Sequence, residues 1–304
     1  MWGRSHIRHE LVVVGVFLLL LLGSASSALG CEFAVKAGGE SSGAGHLSAP
    51  PDVAIDGSGN AWVADTAHSR VQKFNSSGEF VSQFGVPPST STSFPAQIFG
   101  IDIDSEGDIW LVLAELGTNQ IRQYKPSGEL ISSWAVGSSQ GIAIDPGGNA
   151  WVLEGNVVKE FNSKGELLLQ FGKFGTGNRE FNSPQAIAAD SEGNILVADT
   201  GNNRYQEFNS AGEFVRKVGS EGTGNGQFKS PRGIAVDSEG RVWVSDSGNN
   251  RLQRFSSKGA YQAQSGAYGP NDGQFVEPRG IATSGTNVWV ADTGNDRVQK
   301  LSCP

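Results

Sequence analysis

The sequence predicts an all-β fold: a six-bladed β-propeller of four-stranded blades, with the last blade closed by a strand from the N-terminus. Three observations carry this prediction. First, a unit restarts every 41 to 48 residues, marked by Asp56, Asp104, Asp145, Asp190 and Asp237, which is the period of a propeller blade. Second, each unit reads as short runs of β-branched and aromatic residues cut by Gly, Asn and Ser, the pattern of strands joined by tight turns. Third, the sixth unit stops after three strands, while residues 31–50 align without a gap to residues 212–231, where a complete unit has its outer strand and the linker beyond it.

The clearest unit runs from Pro231 to Phe255. Its strands are expected at Gly233–Asp237, Arg241–Ser245 and Arg251–Phe255, joined by Ser-Glu-Gly and by Ser-Gly-Asn-Asn. A fourth follows at Ala260–Gln264, before a Gly-rich passage leads to the next unit. Gly and Asn tolerate the positive φ that such turns demand. Counterparts begin at Pro50, near Ile98, near Ser139, at Pro184 and at Pro278. A single unit cannot bury both faces of its sheet, so the units must stack.

Residues 1–30 read as a signal peptide. Arg4 and Arg8 precede the apolar run Leu11–Leu22, and small residues lead to Gly30. The run is shorter than the roughly 20 residues that a membrane span needs, so cleavage and export are expected, with a retained anchor as the alternative. The propeller then occupies residues 31–304. The two cysteines, Cys31 and Cys303, stand at its two ends. In the repeat register Cys303 takes the place of Ser210 and Cys31 that of Gly212, two positions apart across a turn. A disulfide is therefore expected, as suits an exported chain. A lipidated Cys31, and with it attachment to a membrane, is the alternative.

The repeated core P-x-G-I-A-V-D-x-x-G-N-x-x-V-A-D-T-G-N-N-R-V-Q, carried by Pro184–Gln206, Pro231–Gln253 and Pro278–Gln299, resembles the NHL-repeat family of six-bladed propellers. The resemblance covers residues 31–304. It implies the fold and says little about activity, since propellers host many functions.

Charge and composition narrow the function. The chain has 304 residues and a net charge of −8, and it lacks a basic patch with interleaved aromatics, so no nucleic-acid partner is expected. There is no G-x-S-x-G elbow, phosphate loop or free catalytic cysteine. Beyond the signal segment only His46 and His68 remain, too few for the three-His zinc site of a similar propeller lyase. The run Asp102-x-Asp104-x-Glu106-Gly107 superficially resembles a calcium loop, but Leu113 stands where a bidentate Glu is needed, and the run coincides with the repeat's first turn. No metal or other cofactor is expected. The recurring pairs Asp65/Arg70, Asp199/Arg204, Asp246/Arg251 and Asp292/Arg297 read as turn braces. Blades two and three break that rule, with Leu113/Gln120 and Glu154.

Loops between blades, and between the second and third strands, should share one face around the channel mouth. The residue after each unit's opening Pro should sit there: Pro51, Phe99, Gln140, Gln185, Arg232 and Arg279. Arg232, Arg279, Gln185, Gln140 and Phe99 are the candidate ligand-binding residues. The expected function is an exported, non-catalytic module that binds a protein, peptide or glycan. The alternative is a lyase or hydrolase with its site at the channel mouth.

Overall fold

The structure is a computed structural model and describes residues 30–88, 96–115 and 118–304. The signal-peptide reading of residues 1–30 falls almost wholly outside the described residues. Among the latter, six four-stranded antiparallel sheets form six blades. In the fifth blade, from the channel outward, the strands are Gly233–Val236, Val242–Asp246, Arg251–Phe255 and Tyr261–Ser265. These lie within a residue of the expected spans. The sixth blade takes Pro278–Ser284, Asn287–Asp292 and Arg297–Ser302 from the C-terminal end and Glu32–Gly38 from the N-terminal end, so the ring is closed by a strand from the other end of the chain.

The repeated residues explain the blade. In five of the six blades an aspartate just past the innermost strand organises the first turn. Asp237 Oδ1 accepts the Glu239 and Arg241 amides, and its Oδ2 accepts Trp243 Nε1 at 3.0 Å. The same reach of six residues links Asp56 to Trp62, Asp104 to Trp110 and Asp145 to Trp151. The indole therefore fills the space between blades while its one polar atom is satisfied. Gly240 closes the turn with φ +74°, a conformation a side chain would resist. Second strands such as Val242–Asp246 are buried along their whole length, because each lies mid-sheet with a neighbouring blade on either face. Outer strands such as Phe214–Val218 alternate between half-buried and exposed.

The ends of the chain are tied three ways. Glu32 to Gly38 pairs antiparallel with Ser302 to Arg297, the Ala49 amide donates to Asp296 Oδ1, and Cys31 is disulfide-bonded to Cys303 with their Cα atoms 4.2 Å apart. The blades meet closely around the channel. A Cβ on Gly233 would run into the Arg279 carbonyl, and one on Gly280 into Asp52.

The Asp–Arg pairs are braces, as the repetition implied. Arg204 Nε meets Asp199 Oδ2 at 2.8 Å, while Nη1 and Nη2 donate to the carbonyls of Thr176, Gly177 and Glu180 in the preceding linker. One guanidinium thus fixes both its own turn and the loop from the blade before. His68 stands on Asp65 as Asn202 stands on Asp199. In the second blade a different pair takes over: Arg122 Nη2 donates to Glu115 at 2.6 Å and Nη1 to the Pro87 carbonyl. In the third, Lys159 pairs with Glu154.

Candidate functional site

The innermost strands enter from the loop-rich face, and their first residues ring the mouth. A hydroxyl from the preceding blade fixes several of these entries. Thr200 Oγ1 donates to the Pro231 carbonyl at 2.7 Å, Ser247 Oγ to that of Pro278, and Thr293 Oγ1 to that of Pro50 at 2.8 Å. Thr66 reaches the Ile98 carbonyl in the same way. The Thr of the repeated D-T-G therefore sets where the next blade's mouth residue starts.

Below the mouth lies a cavity of ≈ 180 Å3. Pro51, Phe99, Gln140, Gln185 and Arg232 all line it, so five of the six residues read as mouth residues share one space. The sixth, Arg279, directly precedes the lining residue Gly280. Arg232 and Arg279 converge on one carboxylate: Arg232 Nη1 stands 3.3 Å from Glu277 Oε2, and Arg279 Nη2 stands 3.9 Å from the same oxygen. Glu277 is itself exposed, with 61% of its side chain open to solvent, so this contact is a weak, solvent-screened one. Burial, with Arg232 acting in the same sense, holds the Arg279 guanidinium below its ordinary value, and Glu277 opposes this. Arg279 Nε is a buried donor without a partner among the described residues. Gln185 makes only a long contact, 3.5 Å from Nε2 to the Ser183 carbonyl.

Two further residues belong to the same cavity and were not among the sequence candidates: Asp52 and Asp102. Asp52 Oδ1 accepts the Val53 amide and Oδ2 the Ile101 amide of the next blade. Asp102 Oδ1 accepts the Ile103 amide and Oδ2 the Ile144 amide, again one blade further on. Burial pushes the Asp52 carboxyl up to about 7 against the pull of those amides, and the charge of Asp102 adds to the rise. Burial likewise pushes Asp102 up to about 6, with Asp104 contributing. Neither makes an ion pair among the described residues. The signal for them was present as a break in the repeat. Asp52 stands where the other units have Gly100, Gly141, Ala186, Gly233 and Gly280. Asp102 stands where they have Ala54, Ala143, Ala188, Ala235 and Ala282. The calcium-loop resemblance obscured the second of these. In the structure Asp104 holds the turn and Trp110 while Asp102 lies in the channel, so the two serve different ends of the strand. Among the described residues, no three His, Cys, Asp or Glu side chains are grouped to hold a metal ion.

A six-bladed propeller with a charged, partly enclosed mouth is a scaffold that can bind or catalyse. Comparison with known proteins gives the family. The NHL repeat pattern matches residues 47–74, 181–208 and 228–255. Human NHL repeat-containing protein 3 is 26% identical over 158 residues, which are 48% of this chain and 34% of that protein, so the chain matches about a third of its relative's length. The chain is an NHL-repeat β-propeller. Similar solved structures include selenomethionine-substituted virginiamycin B lyase from Staphylococcus aureus, with a TM-score of 0.57, 18% identity and coverage of 82% of this chain and 79% of that one. An auxiliary nutrient binding protein from Bacteroides ovatus has a TM-score of 0.64 at 11% identity, covering 90% and 73%. One fold thus carries a lyase and a binding protein, and at these identities the likeness extends to the fold alone.

Proposed function

We propose that this protein is an exported binding module that takes a protein, peptide or glycan ligand on its loop-rich face, anchoring an anionic group of that ligand at Arg232 and Arg279. The observation that carries the reading is the convergence of these two guanidiniums at the mouth of a partly enclosed cavity, with one buried donor unpartnered. Arg is the side chain shaped to grip a carboxylate with parallel N–H donors, and Glu277 offers only an exposed, displaceable partner. Four other blades have no Arg at this position, so the fold does not require it. The Cys31–Cys303 disulfide supports an oxidising, extracytoplasmic setting. A secreted product beginning at Cys31 and two hydrogens lighter than its dithiol form is expected by mass spectrometry; an acylated Cys31 would contradict it.

The test is a glycan and peptide array probed with the protein and with the double variant Arg232→Gln, Arg279→Gln. Gln already stands at this position in two other blades, so the melting temperature should stay within about 2 °C. Binding to the ligands found for the parent should fall at least tenfold. Unchanged binding, or an unfolded variant, would make the pair structural. A second reading, a lyase or hydrolase at the mouth, is favoured by one observation: carboxyls held near neutrality in a cavity suit proton transfer. Turnover of a ligand found on the array, abolished in Asp52→Asn, would establish it.

A further inference from the structure

Asp52 and Asp102 are two carboxylates at positions that are Gly or Ala in every other blade, so the ring can be built without them. Each accepts two backbone amides, one per oxygen, and each oxygen keeps acceptor capacity for the channel they line. No cation among the described residues pairs with either. The guanidiniums of the lining blades, those of Arg232 and Arg279, are turned to Glu277 at the mouth. Between the depth of Asp52 and that of Asp102 the lining includes the apolar residues Val53, Ile101, Ile187 and Ile281, beside polar backbone. At ≈ 180 Å3 the space is well below the roughly 300–1,000 Å3 of sites that enclose a drug-sized ligand, so only a slender group can enter. Asp52 lies one residue below the mouth position of its strand and Asp102 three below, about 3 and 10 Å along a strand.

We propose that Asp52 and Asp102 form a socket for an alkylammonium group on an unbranched chain, such as the end of a lysine side chain, inserted through the channel mouth. The proposal rests on the binding reading above and deepens it: the ligand would present a cation to the channel and an anion to the arginines. A slender four-carbon stem fits a narrow passage, and its ammonium needs only three acceptors, which two carboxylates supply. A metal ion fits less well. Calcium takes six to eight oxygens and magnesium six, whereas the channel offers two carboxylates whose oxygens already accept amides.

The raised carboxyls give the socket a proton linkage. Below about pH 7 an empty channel holds a proton on Asp52, and an entering ammonium displaces it. Affinity should therefore fall on acidification, while the alkylammonium itself stays charged throughout. The charged groups at the mouth above the pair are Arg279 and Glu277 from the sixth blade and Arg232 from the fifth. Asp104 shares a strand with Asp102, and the third blade contributes the neutral Gln140.

Pentylamine, tert-butylamine, hexanoate and 6-aminohexanoate can be titrated calorimetrically into the purified protein at pH 8 and pH 5.5. Pentylamine and 6-aminohexanoate should bind at pH 8, and at pH 5.5 should bind at least tenfold more weakly and release protons on binding. Tert-butylamine, branched at the carbon that bears its nitrogen, should not enter, and hexanoate, which brings no cation, should leave the channel empty. Asp52→Asn and Asp102→Asn should each weaken pentylamine at least tenfold. If either fails to fold, the proton release of the parent protein and the other variant still decide. No pentylamine binding at pH 8, binding indifferent to pH and to both substitutions, or calcium or magnesium that displaces pentylamine would each overturn the proposal. The arginine pair is separated by a further arm. In Arg232→Gln, Arg279→Gln, 6-aminohexanoate should weaken while pentylamine does not. Should both remain unchanged there, the socket stands and the anion assignment falls.

Discussion

Asp65, Asp199, Asp246 and Asp292 lie wholly inside the protein, whereas Asp52 and Asp102 are half-buried where they line the channel, and the two sets are held in different ways. Each member of the first set receives the same company. Asp246, for example, accepts the Lys229 amide, Asn249 Nδ2, Arg251 Nε at 2.8 Å and Gln253 Nε2. The countercharge and the amides arrive together, so burial of that carboxylate is offset where it occurs. Asp52 and Asp102 receive only two amides apiece and a like charge nearby. Burial alone therefore does not mark a working residue in this protein. The candidates for function are the carboxylates that the repeat neither requires nor neutralises.

The largest effect is expected from breaking the first arrangement. Arg251→Ala leaves Asp246 charged, buried and without its cation, and cuts the bonds that hold the Gly224 and Gln227 carbonyls of the preceding linker. A loss of about 3–5 kcal/mol is expected in a denaturant titration, the usual cost of removing one partner of a buried pair. A loss below about 1 kcal/mol would mean that these turns are not braced by charge. Ser247→Ala removes a single buried hydrogen bond to the Pro278 carbonyl and should cost about 1 kcal/mol. It should also loosen the placement of Arg279, which follows Pro278. At the smallest end, Arg232→Gln with Arg279→Gln should cost under about 0.5 kcal/mol, because both guanidiniums meet Glu277 where solvent screens the attraction. A large destabilisation there would move the arginines from the second class of residue to the first.

Repetition made the fold legible. Six copies of the same strand and turn chemistry gave the blades, and the ungapped match of residues 31–50 to 212–231 located the closing strand, which pairs along Glu32–Gly38. The four Asp–Arg braces were legible for the same reason. Reading down the column after each opening Pro also found the mouth ring, since the innermost strands enter at one face. The compensating pair Glu115–Arg122 was not legible, because its members lie outside the repeat's Asp and Arg positions and meet only when the second blade's longer hairpin is folded. Asp52 and Asp102 were hidden differently. Each breaks a Gly or Ala column of the repeat, but that break points to the channel only once the ring brings the innermost strands of successive blades together around one cavity.

The measurement that tests the distinction most directly is the pH dependence of stability in the parent protein and in Asp52→Asn. A carboxyl raised from its ordinary 3.8 to about 7 in the folded state keeps its proton where the unfolded chain has lost it. Stability is then unaffected by this group below about pH 4, declines as pH rises toward 7, and levels off above, by at most about 4 kcal/mol at roughly 1.4 kcal/mol per pH unit. The carboxamide in Asp52→Asn has one oxygen and can satisfy only one of the two amides that Asp52 holds. That adds a penalty that does not vary with pH, so the readout is the change with pH and not the offset. The account predicts that the parent loses stability relative to Asp52→Asn between pH 4.5 and pH 8. Parallel curves across that range would show that Asp52 carries no uncompensated charge, and would contradict it.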